Sequence, residues 1–411
     1  MTTKREEWRG NWKVVLAAAA GMSLAALSTA SFGVMLVPIE QDLGWTRAEI
    51  SLGPALITAV VFCLSSLLGG AIDRFGPRKI GAVAVLVICG AMAMMSRIGS
   101  SLWGWWAIWV AIGLGSAMMP TVWLKPVSTS FFAGRGLALA VVLSGTSISA
   151  ILVPSLANHL VEAHGWRWAY AALGGIWCVA VLPLVLLFLR QGAARVSNDS
   201  QAAAAAATPP TGLTVREGFK SSRLYRLLLT VWCSTFMTTA IVLNLVPMLR
   251  ANGFTAATAA SIAGFAGFSL IGRFTSGWLL DRYDAGRIGA VAALFMVVLP
   301  GVLLLFPNAF VPVMLAVLVF SLASGALLPS FAYLTSQHLG ERSFGTFYGT
   351  VNAVNSIGVG LGPLLANTIY DQSGSYRLTL LAAIPMLVAG AALFLSLGRR
   401  SSGRATREAA G

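Results

Sequence analysis

Two cations lie well inside apolar stretches of this 411-residue chain, Lys125 and Arg273, and none of its 14 Asp and Glu residues falls within those stretches. A cation at the centre of a hydrocarbon layer costs ~2.5–3.5 kcal/mol on insertion scales, so it is retained for a partner or a task. An Arg guanidinium is a planar fork that meets a carboxylate with two parallel hydrogen bonds, whereas a Lys ammonium is a point charge on a flexible stem. With no acid in the apolar stretches, the expected partner is an anion from outside the chain. The competing reading is snorkelling of the charge to the nearer surface. That is easier for Lys125, roughly 10 Å from the end of its stretch at 1.5 Å per residue.

Other polar residues inside apolar stretches could complete an anion site: Asn244, Tyr333, Asn352 and Asn355. Each can bond a carboxylate or hydroxyl, and each can equally bond a neighbouring helix. Ser144, Thr146 and Ser147 are weaker candidates of the same kind, and Trp123 and Phe331 could wall such a site or simply pack. Cys63, Cys89, Cys178 and Cys233 each stand alone, so neither a metal centre nor a disulfide framework is expected. His159, His164 and His338 sit at stretch ends or in loops, which disfavours a buried histidine proton relay. No nucleotide-binding loop or nucleophile–base arrangement is present, so an enzyme is not expected, and neither is a cofactor.

The elements that hold these residues are membrane helices. The chain is 57% hydrophobic and 10% charged, where a soluble domain carries about 25% charge. Apolar runs fall near 14–39, 50–72, 80–97, 103–131, 137–160, 167–189, 224–248, 257–280, 287–306, 311–337, 345–369 and 377–398. Backbone amides in lipid must be satisfied within their own segment, so the runs are helices. The fold class expected is therefore an all-α membrane protein with twelve transmembrane helices in two six-helix bundles. The first run extends to about residue 37, too long for a cleaved signal.

The net charge of +14 follows the loops rather than a nucleic-acid face. With the N-terminus inside, 21 Lys and Arg residues face the cytoplasm and five, Arg47, Arg97, Arg167, Arg250 and Arg377, face outward. That bias places both termini in the cytoplasm. Residues 1–13 are an N-terminal tail, 14–189 and 224–398 the two bundles, 190–223 a polar linker with an Ala run and Pro209–Pro210, and 399–411 a C-terminal tail. The halves repeat. DRFGPRKIGAVAV at 73–85 matches DRYDAGRIGAVAA at 281–293, and Pro154 with Asn158 matches Pro363 with Asn367, at offsets of 208 and 209. Internal repeats of this kind place a transporter's site near the bilayer midplane.

GGAIDRFGPRK at 69–79 resembles the signature loop of the major facilitator superfamily, and SGWLLDRYDAGR at 276–287 is its second copy. Asp73, Arg74, Arg78, Asp281 and Arg282 are its charged residues. The resemblance implies two bundles that rock about a central cavity. LGWTRAEIS at 43–51, FFAGRGLALAVVLSG at 131–145 and GWRWAY at 165–170 resemble bacterial members of the monocarboxylate porter branch, which includes lactate/pyruvate–proton symporters and is related to oxalate–formate exchangers. That narrower resemblance implies a substrate-binding Arg at Arg273, in FSLIGRFTSG. Many relatives carry an acid four residues earlier, where this chain has Ser269, and exchangers carry a Lys where it has Asn355. The function expected is secondary transport of a small organic anion, a monocarboxylate, with a proton as coupling ion, by a monomer in the inner membrane. Anion exchange and xenobiotic efflux are the alternatives. Its partners are its substrate and membrane lipids, with no nucleic acid and no metal.

Overall fold

The computed structural model describes residues 4–189 and 212–398. Among them there is no β-strand, only a single bridge between Gly212 and Gly340. The elements are α1 (Lys4–Leu43), α2 (Arg47–Phe75), α3 (Pro77–Met95), α4 (Leu102–Ser130) and α5 (Arg135–Phe188), then a short α6 (Val215–Lys220). The second half holds α7 (Ser222–Leu243), α8 (Leu245–Ala251), α9 (Ala256–Gly264), α10 (Ser269–Leu280), α11 (Ala285–Met296), α12 (Val298–Leu305), α13 (Phe310–Gly325), α14 (Leu327–Leu339), α15 (Phe344–Ser373) and α16 (Arg377–Ser396).

Ten helical segments of the described residues are long and apolar enough to cross a membrane. One of the ten, α5, is two helices joined across a kink at Gly165, with φ 81° and ψ 165°. Such a backbone favours glycine, and the break falls between the sequence runs 137–160 and 167–189. The 30-residue α15 is not among the ten. Its Thr346, Asn352, Asn355, Asn367 and Asp371 lower its mean hydropathy.

The two halves are built with different regularity. Helices of the first half run unbroken through their prolines: α4 contains Pro120 and Pro126 yet stays one helix. In the second half four runs are interrupted, while α15 and α16 pass unbroken through Pro363 and Pro385. Asn244 separates α7 from α8 with φ −103° and ψ 10°, and a 3-10 turn, Phe265–Phe268, separates α9 from α10. Val297 and Ala326 divide two further runs. Discontinuous spans free backbone groups for bonding at membrane depth.

The tail expected at residues 1–13 is helical from Lys4 and continuous with the first span. It is held by tertiary contacts: Trp8 packs edge-on against Phe131 at 5.3 Å, and Asn11 donates to the Ser130 carbonyl at 3.3 Å. Residues 190–211 of the expected linker, and the expected C-terminal tail, lie outside the described residues. Tryptophans near helix ends divide into exposed and buried ones. Trp12, Trp103 and Trp168 are exposed, whereas Trp45 and Trp166 are buried, Trp166 donating to Asp42 at 3.1 Å.

Candidate functional site

The halves meet chiefly through two helix pairs, α2 with α15 and α5 with α10. Each pair contains an aspartate of the repeated loop motif. Both α15 and α5 begin without a side-chain cap of their own: Ser343 and Gly134 at their N-caps make no capping bond. A helix start exposes unsatisfied N–H groups and the positive end of its dipole, so it draws a carboxylate. In both cases the other half supplies a carboxylate.

Asp73, at the end of α2, accepts from the Gly345 and Thr346 amides at 2.9 Å each and from Thr346 Oγ1 at 3.0 Å. Its Oδ1 also takes Lys125 Nζ at 2.6 Å. This corrects the expectation that neither buried cation has an acidic partner. Lys125 lies deep enough in α4 to look isolated along the chain, yet α4 passes beside the end of α2. Just deeper in the membrane, Ser65 Oγ donates to the Gly349 carbonyl and Ser66 Oγ meets Thr350 Oγ1, each at 2.8 Å. A Cβ on Gly69 would collide with the Gly345 carbonyl, and one on Gly345 with the Gly69 carbonyl. The two glycines let the backbones touch and bring Asp73 within reach of the helix start.

Asp281 repeats the arrangement in the opposite direction. Its Oδ1 accepts the Gly136 amide at 2.6 Å, and Lys4 Nζ stands 3.7 Å from its Oδ2. Burial raises the Asp281 carboxyl above its ordinary value, and the Gly136 and Leu137 amides and Lys4 oppose that. Beside it Arg135 links Glu341 Oε1 at 2.6 Å and Ser336 Oγ at 3.1 Å, a second bond between the halves. Burial raises the Glu341 carboxyl too, against the lowering effect of Arg135. Glu7, only 7% exposed, accepts the Phe132, Ala133 and Gly134 amides at 3.1–3.3 Å. The start of α5 is thus capped by Glu7 from its own half and Asp281 from the other.

Arg273 sits on α10, where that helix crosses α5. Its Nη1 donates to the Leu143 carbonyl and to Thr146 Oγ1, both at 2.7 Å and both across the interface. Its Nε is buried without an acceptor. Among the described residues no carboxylate lies within ion-pairing distance of it. The guanidinium is therefore held by neutral acceptors only and keeps donor capacity in reserve.

The structure does not gather all of the sequence candidates around Arg273. Asn355 Oδ1 accepts from Thr235 Oγ1 at 2.9 Å, joining α15 to α7. Asn244 is buried and donates to the Ala240 carbonyl at 3.0 Å, a bond that closes the break after α7. Asn352 and Tyr333 are half-buried. Trp123 and Phe331 are fully buried in the core, so they pack and wall no open site. Thr146, a weak candidate by sequence, is a direct partner of Arg273. Of the motif arginines, Arg74 lies over the Phe75 ring and Arg282 over the Trp278 ring, the latter 3.7 Å from the centroid. Arg78 is half-buried.

Sequence reasoning passed over Glu7, Arg135 and Glu341. The available signal was position: a carboxylate just ahead of the first apolar run, an arginine directly after the short loop 131–134, and an acid within the short loop 340–343.

Two bundles of membrane helices, latched across their interface by a repeated Asp and holding one unpaired intramembrane guanidinium, define a polytopic transporter. The chain belongs to the Major Facilitator Superfamily, whose family model matches residues 18–357 and 263–411. It is similar to monocarboxylate transporter 13 of Bos taurus, 28% identical over 393 residues that cover 94% of this chain and 89% of that one. It is also similar to a gallate transporter of Pseudomonas putida, 28% identical over 86% of this chain and 87% of the other. Multidrug resistance protein MdtG of Enterobacter lignolyticus is 25% identical over 91% and 90%. Among solved structures, the human organic anion transporter MFSD10 superposes with a TM-score of 0.71 at 16% identity, covering 93% of this chain and 99% of that one, a likeness of fold.

Proposed function

We propose that this chain is a secondary transporter that carries a small organic anion, a monocarboxylate first of all, through the inner membrane together with a proton. The observation that supports this reading is Arg273: a guanidinium at membrane depth, bonded to the Leu143 carbonyl and Thr146 with its Nε unsatisfied and no carboxylate of the described residues within ion-pairing distance. A substrate carboxylate supplies the missing charge and two acceptors in one group. The present acceptors belong to the opposite half, so an arriving anion competes with a contact that holds the halves together. That competition couples binding to rocking, provided the anion binds the two conformations unequally.

In this reading the end of the bundle that carries Lys4, Asp73 and Asp281 faces the cytoplasm, both termini lie there, and the two Asp-capped helix starts are the cytoplasmic latch. Lys125 belongs to that latch through Asp73 rather than to the substrate. Similarity to the monocarboxylate and gallate transporters favours a carboxylate cargo. No titratable acid or His lies within the spans beside Arg273, so the proton travels with the anion.

The test is uptake of a panel of labelled carboxylic acids into proteoliposomes, with and without an imposed pH gradient, for the wild type and Arg273→Ala. Accumulation driven by the gradient and lost in the variant supports the reading. Uptake that requires a preloaded internal anion identifies exchange instead. Transport of lipophilic cations that survives Arg273→Ala identifies drug efflux and overturns the reading.

A further inference from the structure

On the outer surface of the second half, α10, α11 and α13 do not close against one another. They leave a groove of about 540 Å³ whose exposed lining is almost wholly apolar. Gly272, Thr275 and Leu279 form one wall, Ile288, Val291 and Phe295 another, and Leu322 with Ala323 the floor. Val291 and Phe295 of the lining are exposed, as are Ile271, Trp278 and Leu294 on the same helices. In a membrane-spanning bundle such a surface meets lipid.

One end of the groove is chemically different. Tyr283 and Arg287 line it there, and Arg282 lies beside them on the Trp278 ring. The acid on the same turn, Asp284, accepts the Arg287 amide at 3.1 Å as the N-cap of α11. Asp281 is turned away, toward the start of α5. From Arg287 to Phe295 the groove follows α11 for roughly 12 Å at helical rise. That approaches the ~15 Å hydrocarbon depth of one leaflet. An apolar slot one leaflet deep, open to lipid along its length and basic at headgroup level, matches one kind of molecule.

We infer that this groove is a binding site for an anionic phospholipid: one acyl chain lies along α10, α11 and α13, and the phosphate-bearing headgroup sits on Arg287 and Arg282 beside Tyr283. A guanidinium meets a phosphate with paired hydrogen bonds, and the leaflet facing a basic protein end is where anionic headgroups gather. Opposite faces of one helix carry the two functions. Thr275 and Leu279 of α10 look into the groove and Gly272 packs against Leu322 of α13, while Arg273 and Gly277 face α5. A seated chain therefore braces the helix that carries Arg273.

The experiment is native mass spectrometry of the full chain released from detergent, titrated with phosphatidylglycerol or with phosphatidylcholine of identical acyl chains. The wild type is expected to retain one tightly held phosphatidylglycerol in preference to phosphatidylcholine. Each arginine contributes roughly fivefold to that preference, so Arg282→Gln with Arg287→Gln brings the two lipids close to parity. The Lys pair at the same positions keeps most of the preference. A groove filled by Thr275→Phe with Val291→Phe loses the retained lipid of either class, while inorganic phosphate alone does not compete in the wild type. Unchanged headgroup preference in the Gln pair, or unchanged lipid retention in the filled groove, overturns the site. None of these readouts depends on the transported substrate, so they stand apart from the transport reading.

Discussion

Lys125 Nζ stands 2.6 Å from Asp73 Oδ1, and that same oxygen accepts the Gly345 amide of the opposite half at 2.9 Å. One carboxylate oxygen therefore joins three elements: α2, which carries Asp73, α4 through a cation, and α15 through its uncapped start. Its partner Oδ2 takes Thr346 twice, through the amide and the hydroxyl. The charge on Asp73 is matched by a cation within its own half and by a helix dipole from the other. When the halves part, only the cation goes with it.

That division predicts a non-additive pair. Lys125→Met leaves the Asp73 carboxylate largely buried without its cation. Removing one partner of a buried pair costs ~3–5 kcal/mol, with the lower figure fitting a pair that keeps 16% and 15% side-chain exposure. Lys125→Met with Asp73→Asn should be more stable than Lys125→Met alone, measured by thermal unfolding in detergent. Purely additive losses would mean that the two side chains are near each other but not coupled.

Asp73→Asn by itself keeps the shape and weakens the charge facing α15. Transport should slow while substrate affinity stays close to that of the wild type, because Arg273 makes none of its bonds to this cluster. Equilibrium binding and transport rate, measured on the same preparation, separate the two effects. Equal loss of both would place Asp73 at the substrate or in folding.

For Arg273 the geometry separates charge from shape. Arg273→Lys retains a cation but cannot hold the Leu143 carbonyl and Thr146 while offering a fork to a carboxylate. Misplacing a positioned group commonly costs on the order of 100-fold, and carboxylate uptake by the Lys variant should fall by that order. Arg273→Ala should abolish it. Uptake by Arg273→Lys at the wild-type rate would show that only the charge matters.

Gly345→Ala tests the close contact of α2 and α15. The added methyl meets the Gly69 carbonyl and the Asp73 side chain. Overpacking of a fitted interface costs ~1–3 kcal/mol, and here separation of the halves relieves it. A cysteine placed at Ser66, whose hydroxyl now meets Thr350, should react faster with a soluble thiol reagent in the Gly345→Ala background. Unchanged reactivity would mean that the interface accommodates the methyl without opening.

The fold was legible because lipid enforces it. Apart from α1, which starts ten residues ahead of its run, the apolar runs locate the outer ends of the helices to within a few residues, and the repeat of 73–85 at 281–293 pairs two Asp residues that take matching positions. Arg273 was legible as the cation without an acid, and among the described residues it has none within ion-pairing distance. Lys125 was not. Its partner Asp73 is 52 positions away, just past the end of an apolar run, and sequence distance hides an ion pair made by packing one helix against the end of another. Asn244 and Asn355 looked like ligands by depth alone. Their bonds go to Ala240 and Thr235, because a broken helix and a helix pair satisfied them first. Glu7 was invisible for a different reason. Its partners are backbone amides of 132–134, which have no side-chain signature.

Asp281 makes the latch sensitive to pH, and the sign follows from its burial. Burial holds its carboxyl above the ordinary carboxylate value, outweighing the Gly136 and Leu137 amides and Lys4 from α1. If the halves part and Asp281 meets water, its affinity for protons falls back toward the ordinary value. The joined form then binds the proton more tightly, so acid favours joining. This contribution is fully present below the ordinary carboxylate value and is lost as pH rises through the raised one. Glu341, raised by burial beside Arg135, acts in the same direction and must be changed separately. Spin labels placed in the loops 131–134 and 282–284 should report a shorter mean distance as pH falls from neutral toward the carboxylate range. Asp281→Asn, which stays neutral at every pH, should flatten its part of that response, and Glu341→Gln should leave the Asp281 part in place. A full pH response in Asp281→Asn would assign the proton to another group and leave Asp281 as a helix cap alone.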